Sequence, residues 1–161
     1  MFTGIIQDLG TIKNKDLGLY QISTNLDLSN CKEGSSISCN GVCLTAKNIT
    51  QSNNKSFSFD VNIGEETLKR TNLANSILKN EKINLEKSLQ IGDEISGHFV
   101  YGHVDTTTIV SEILELENSW EYHFEKNFNY GSCSINMTIY KVTTDFITYL
   151  KRFFQINFFI F

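Results

Sequence analysis

The sequence predicts an all-β protein made of two small β-barrels in tandem, the second of them incomplete. Three observations carry this expectation. The first half is a series of short runs rich in β-branched and aromatic residues, separated by turn residues. One segment within it departs from the two-residue alternation and follows a helical period. The N-terminal pattern then returns, shortened, in the second half of the chain.

In chain order, strands are expected at Thr11–Lys13, Leu19–Thr24, Ser36–Cys39, Cys43–Ile49 and Ser56–Asn62, where apolar residues tend to alternate with polar ones. Between them fall Asp16-Leu17-Gly18, Lys32-Glu33-Gly34, Asn40-Gly41 and Ser52-Asn53-Asn54. Asn40-Gly41 is the strongest of these turn signals, because both residues tolerate the positive φ that a two-residue hairpin requires. A helix is expected over Glu65–Asn80: Leu68, Leu73, Ile77 and Leu78 can share one face, and Glu65 and Glu66 sit at its positive end. Ile83-Asn84-Leu85-Glu86 resumes a strand. Six short strands and one helix in so little chain imply a closed barrel, which leaves no sheet edge exposed.

Composition bounds the function. The 161 residues leave room for one ordinary domain or two small ones, and 40% hydrophobic with 20% charged residues is the balance of a soluble globular protein. A net charge of -4 argues against a nucleic-acid partner, which calls for a basic face. The four cysteines (Cys31, Cys39, Cys43, Cys133) form no C-x-x-C pair, so neither a zinc ribbon nor a redox dithiol is expected. Met1 leads directly into Phe2-Thr3-Gly4-Ile5-Ile6 with no basic start or long apolar run, so no signal peptide or spanning helix is expected. These points together describe a cytoplasmic protein with reduced thiols, no metal and a small-molecule ligand.

The duplication is read by aligning the chain with itself. Phe2–Ile12 lines up with Val100–Val110, Gly34–Ile49 with Gly131–Val142, and, more weakly, Leu68-Lys69-Arg70 with Leu150-Lys151-Arg152. The separation between copies shrinks from Gly4/Gly102 through Gly34/Gly131 to Thr45/Thr138, so residues are missing from the second copy. The expected division is a first barrel over 1–97 and a truncated second barrel over 98–161. Where the first copy reads Asn40-Gly41-Val42-Cys43-Leu44-Thr45, the second reads only Asn136-Met137-Thr138. Losing an odd number of residues inverts the side-chain alternation unless a turn absorbs it.

Four motifs carry a family resemblance. Met1-Phe2-Thr3-Gly4-Ile5-Ile6, Asn40-Gly41-Val42-Cys43-Leu44-Thr45, Glu66-Thr67-Leu68-Lys69-Arg70-Thr71-Asn72-Leu73 and Gly97-His98-Phe99-Val100-Tyr101-Gly102-His103-Val104-Asp105 closely resemble, in order and spacing over residues 1–110, those of riboflavin synthase. The resemblance implies two six-stranded Greek-key barrels of the riboflavin synthase type. It also implies a homotrimer whose site is shared between the first barrel of one chain and the second barrel of a neighbour. The implied reaction is the dismutation of two 6,7-dimethyl-8-ribityllumazine molecules, by transfer of a four-carbon unit, to riboflavin and 5-amino-6-ribitylamino-uracil. That chemistry uses no metal and no redox cofactor. The C7 methyl of the lumazine is acidic, so the protein mainly holds two heterocycles face to face and moves a proton.

Carried over residue by residue, the resemblance implies catalytic roles for Ser36, Cys43, Thr45 and His103. Substrate-binding roles fall on Thr3, Gly4, Ile5, Asn62, Glu66, Thr67, Gly102 and Thr138. Hydroxyls and backbone groups near the Asn40-Gly41 turn suit the polar edge of a flat ring, and a histidine at position 103 suits proton transfer near neutral pH. Taken alone, Ser36 and Thr45 read as ordinary strand-edge hydroxyls and Cys43 as a small core residue. His98 and His103 have no third ligand in view, and His123 belongs to no motif. The tail Phe146–Phe161 reads as a last strand or an altered end, and it lacks the family's C-terminal trimerising helix. The rival reading is a non-catalytic lumazine- or flavin-binding protein, or a decayed synthase.

Overall fold

The computed structural model describes residues 1–53, 55–95, 97–104, 107, 110–117, 119–124 and 136–140. Two compact units divide between Thr106 and Thr107. The first contains β1 (Asp8–Asp16), β2 (Leu19–Thr24), β3 (Ser36–Cys39), β4 (Val42–Thr45), β5 (Lys47–Asn53), β6 (Ser56–Asn62), α1 (Glu65–Arg70), α2 (Leu73–Leu78) and β7 (Lys82–Lys87). Its antiparallel sheet runs β4-β3-β7-β1-β2-β6-β5. The two ends of that order, β4 and β5, are halves of one strand broken only at Ala46. Counted as one, they make six strands in a closed ring of Greek-key connection, as the sequence predicts.

The alternation that sets each strand also fills the barrel. Ile12, Tyr20, Ile22, Ile37, Leu44, Phe59, Val61, Ile83 and Leu85 point inward and form one buried cluster, each contributing about 1.5 to 3 kcal/mol on removal from water. Ala46, wholly buried at the break, is small enough for the strand to bend there. Its backbone bonds to Gly34 and Ser35 as the pairing passes from β3 to β6. Gly10 faces the interior, and a Cβ there would lie 2.7 Å from Leu85 Cδ1. A side chain at this position would have to displace the Leu85 and Ile22 methyl groups that fill the core.

The Asn40-Gly41 hairpin forms as expected, with φ of 50° and 83° between the paired Cys39 and Val42. Three expectations need correction. The strand expected at Thr11–Lys13 runs over the whole of Asp8–Asp16. The strand expected over Cys43–Ile49 starts at Val42, breaks at Ala46 and continues to Asn53. The single helix expected over Glu65–Asn80 is two short helices. Thr71 interrupts them in extended conformation (φ -127°, ψ 168°), and its hydroxyl donates to the Thr67 carbonyl. That local bond competes with the helical ladder and turns the chain so that Leu73 enters the core.

Outside the barrel wall, Asp60 is buried beneath Lys15, whose Nζ donates to Oδ2 at 2.9 Å, and Asn48, whose Nδ2 donates at 3.0 Å. Oδ1 makes no hydrogen bond of good geometry; Gln21 stands directly opposite on β2. Burial pushes the Asp60 carboxyl up, but the bonds from Lys15 and Asn48 and the Lys15 charge outweigh it and hold the pKa below the ordinary carboxylate range, with Gln21 adding a weaker pull.

The second unit shows β8 (Val110–Glu115), β9 (Ser119–Phe124) and β10 (Asn136–Tyr140) as an antiparallel sheet in the order β10-β9-β8. Trp120 and Tyr122 are buried, with Val110 and Ile113 packed on them. Beside β9, β10 takes the place that β6 takes beside β2. Among the described residues this unit comprises three strands, against six in the first. His123 is a strand residue whose ring nitrogens lie 3.0 Å from Glu121 and 3.8 Å from Glu112. The tail Phe146–Phe161 and Cys133 lie outside the described residues. No described helix is long and apolar enough to cross a membrane.

Two outcomes test this account. Gly10→Val is expected to destabilise the protein by about 1 to 3 kcal/mol in urea unfolding; an unchanged midpoint would show slack around Leu85. Because the folded pKa of Asp60 is lowered, its contribution is fully present above the unfolded carboxylate pKa of about 3.9 and is lost as pH falls through the folded value. Asp60→Asn should therefore cost about 1 to 2 kcal/mol at neutral pH, a modest figure because Lys15 is half exposed. The deficit should shrink under acid, and an equal deficit at pH 2 and pH 7 would contradict the assignment.

Candidate functional site

The inward side chains of β3 and β4 leave the opposite parity facing out. On that outer face Ser36 stands opposite Thr45, and Ser38 stands opposite Cys43. One strand further, Glu86 of β7 stands opposite Ser38. On the other side β4 meets β6, where Asn62 is exposed at the strand end. Extending the Lys47↔Asp60 register by two residues sets Thr45 opposite Asn62. The β4-β3-β7 face and the end of β6 thus present a polar platform of hydroxyl, thiol and amide groups. Of the predicted residues, Ser36, Cys43 and Thr45 are brought together here.

The Asn40-Gly41 turn beside the platform is tied down rather than loose. Asn40 is buried, its Oδ1 accepts the Asn84 N–H at 2.7 Å, and its Nδ2 approaches Ser76 Oγ at 3.4 Å. Its own N–H donates to the Asn84 carbonyl. The hairpin that carries Cys43 and Thr45 is therefore anchored to β7 and α2. Buried Cys39 points the other way, into the core, and burial pushes its thiol far up, so it stays protonated.

The N-terminal segment crosses this face. Thr3 N–H (2.6 Å) and Thr3 Oγ1 (2.7 Å) both donate to Glu86 Oε1, and Gly4 N–H donates to Oε2 at 3.0 Å. Thr3 Oγ1 also accepts the Ile5 N–H. Thr3 and Gly4, predicted to bind substrate, thus already have most of their polar groups engaged by Glu86, while the Ile5 side chain is half exposed. Fully buried Phe2 exchanges hydrogen bonds with Val100 at 2.7 and 2.9 Å, and the Thr3 carbonyl accepts the His98 N–H at 3.0 Å. This pairing carries Gly102 onto the platform, where its carbonyl accepts the Cys43 N–H at 2.8 Å. His103 follows it and is exposed.

The remaining predicted residues sit around this frame. Asn62 ends β6, and Gly64, with open space beside its Cα, leads into α1. Glu66 is exposed and paired with Arg70 at 2.5 Å, and Thr67 is half-buried. Thr138 lies in β10 opposite Glu121, whereas Thr45 lies in β4 beside β3, so the two aligned threonines have different strand neighbours. Sequence reasoning missed Ser38 and Glu86. Ser38 follows from Ser36 by the two-residue period. Glu86, directly after inward-facing Leu85, reads from the sequence as an ordinary solvent-facing carboxylate, and only its burial in the fold shows that it needs donors.

Among the described residues, concavities on the first unit include one of about 410 Å³ beside Thr3, Glu86, Lys87 and Asp93. Another, of about 450 Å³, lies beside Leu28, Cys31, Asn48 and Phe57. Neither includes Ser36, Cys43 or Thr45. The platform is a polar face on a rigid barrel, and such a face needs a further wall before it can enclose a ring.

Fold and face define a class: a Greek-key barrel with hydroxyls on its outer wall. Residues 3–88 match the lumazine binding domain family. The riboflavin synthase of Buchnera aphidicola subsp. Baizongia pistaciae is 43% identical over 126 residues, covering 75% of this chain and 57% of that protein. That of Brucella abortus is 43% identical over 122 residues, covering 73% and 58%. That of Bacillus subtilis is 33% identical over 162 residues, covering 92% and 73%. The chain thus spans little more than half the length of the first two relatives. A solved structure of LumP complexed with 6,7-dimethyl-8-(1'-D-ribityl) lumazine shares the fold, with a TM-score of 0.64 at 19% identity, over 92% of this chain and 93% of that one. The chain belongs to the riboflavin synthase family of lumazine-binding proteins.

Gly102 offers a direct test of the frame. Its φ is +75°, and a Cβ would lie 2.8 Å from Cys43 Cβ and 2.9 Å from Cys43 N. Gly102→Ala is expected to detach the segment from β4, read as at least a tenfold faster hydrogen exchange of the Cys43 amide, with core amides such as that of Phe59 unaffected. Unchanged exchange would remove Gly102 from the site.

Proposed function

We propose that this chain is a riboflavin synthase, converting two 6,7-dimethyl-8-ribityllumazine molecules to riboflavin and 5-amino-6-ribitylamino-uracil. The observation that carries the reading is the cross-strand pair Ser36–Thr45, flanked by Cys43, on the outer wall of the barrel that matches the family. One lumazine lies on this platform, its polar edge on the Ser36 and Thr45 hydroxyls and its side chain toward Asn62 and Thr67. Cys43 packs beside the ring. His103, carried next to Cys43 by Gly102, takes the proton from the acidic C7 methyl and returns one later in the reaction. Glu66 and Ile5 border the entrance, while Thr3, Gly4 and Gly102 shape the wall through their backbone.

The missing wall comes from a neighbouring chain in a homotrimer, through the second lumazine-binding barrel. In this reading residues 98–161 are that barrel, shortened, with Thr138 its surviving hydroxyl, and its opening stretch, residues 98–104, lies back on the first barrel of residues 1–97 and so leaves His103 beside Cys43 of the same chain. Facing rings held by two related pockets supply the proximity on which the transfer depends. The working place of such an enzyme is the cytoplasm, and neither metal nor redox cofactor takes part.

Purified full-length protein incubated with 6,7-dimethyl-8-ribityllumazine should develop riboflavin fluorescence. His103→Ala is expected to lower kcat by about 10²- to 10⁴-fold, the range of general acid–base assistance. Thr45→Val and Ser36→Ala should each weaken substrate binding by roughly 5- to 10-fold, the equivalent of one lost hydrogen bond. Tight lumazine binding at one site per chain without any product would sink the enzyme reading in favour of a binding protein.

A further inference from the structure

We infer that Glu86 is a positioning residue for His103, acting through the N-terminal segment; the inference rests on the proposed synthase reading. Glu86 is almost fully buried on the outer face of β7, where an unpartnered carboxylate would be costly. Its two oxygens instead take three donors, all from Thr3 and Gly4 and all more than eighty positions away in sequence. Charge-assisted bonds of this kind are among the strongest the fold makes. They fix the stretch that holds residues 97–102 in register. Phe2 exchanges two hydrogen bonds with Val100, and Thr3 accepts one from His98. A Cβ at Gly97 would lie 2.7 Å from the Thr3 carbonyl, so the two segments run in close contact. The far end of the same segment delivers the Gly102 carbonyl to the Cys43 N–H, and His103 is the next residue.

A continuous series of bonds thus runs from Glu86 through Thr3 and Phe2, then His98 and Val100, to Gly102 and the start of His103. Among the described residues, Glu86 hydrogen-bonds to none of the platform hydroxyls. Loss of the carboxylate frees Thr3 and Gly4, lets the paired segment drift, and leaves the imidazole displaced from the ring while the Ser36–Thr45 platform stays intact. Glu86 therefore governs the proton-transfer step more than the binding of lumazine.

The test uses full-length protein and three substitutions, Glu86→Gln, His103→Ala and Thr3→Val, the first two also combined. Glu86→Gln keeps the volume but offers a single oxygen to three donors, so one donor faces an NH₂ group. The expected result is at least a tenfold faster exchange of the His98, Val100 and Cys43 amides, with those of Ile22 and Phe59 unchanged. In turnover, kcat should fall about 10- to 100-fold with KM within about threefold, the scale of one or two lost charge-assisted bonds. In a His103→Ala background, Glu86→Gln should cost nothing further, because it acts through that imidazole. Thr3→Val, which removes one of the three bonds and keeps the carboxylate, should show the same pattern more weakly, and it stands in if Glu86→Gln does not fold. Unchanged exchange at His98 and Val100, additive losses in the double variant, or a loss confined to KM would each overturn the inference. If the unsubstituted protein makes no riboflavin, the synthase reading falls, and the exchange experiment alone still decides whether Glu86 holds residues 97–102.

Discussion

Residues 42–53 pair with β3 along one half and with β6 along the other, and the first unit depends on that double pairing. A sheet of this size with open edges would expose a ladder of unpaired backbone groups. Bending one strand at Ala46 joins the edges without adding chain. The bend also decides which side chains lie where: Leu44 and Ala46 point into the core, and Thr45 between them points out. The platform is thus a by-product of closure. Each inward apolar residue that stabilises the barrel leaves its neighbour on the outer wall, and on β3 and β4 those neighbours are serine, threonine and cysteine.

A second constraint holds the outer wall in order. A barrel exterior normally faces water, yet Phe2 is fully buried there and Glu86 nearly so. Both are covered because the N-terminal segment and residues 97–102 lie across the face and pair with each other. The glycines in this layer have physical reasons. Gly97 and Gly102 adopt positive φ and press against backbone atoms of Thr3 and Cys43 respectively, at distances that no side chain permits. The motif Gly97–His103 is therefore first a packing device. Its histidine gains a place beside the platform because the backbone before it is pinned.

Much of this is legible in the chain. The limits of Leu19–Thr24, Ser36–Cys39 and Ser56–Asn62 follow from alternation and turn residues, and Asn40-Gly41 specifies its hairpin by local chemistry alone. The shrinking repeat points to an incomplete second barrel. The segment Glu65–Asn80 reads as one helix because Leu68, Leu73, Ile77 and Leu78 satisfy a helical face. It divides in two because the Thr71 hydroxyl bond and the pull of the core on Leu73 override that periodicity. The grouping of Ser36, Cys43 and Thr45 rests on motif resemblance, and the alternation of β3 adds Ser38.

Local rules alone place most of the strands, the Asn40-Gly41 turn, the inward set of apolar residues and the family motifs. These depend on residue type and spacing over a few positions, which are present in the chain before it folds. Long-range pairing is different, and the folded barrel alone settles it. The joining of β4 to β5 around Ala46, the capture of Thr3 and Gly4 by Glu86, and the seating of Gly102 on Cys43 bring together groups whose partners no local pattern encodes. A buried carboxylate or a tight glycine announces only that a contact must exist, and the closed barrel supplies it.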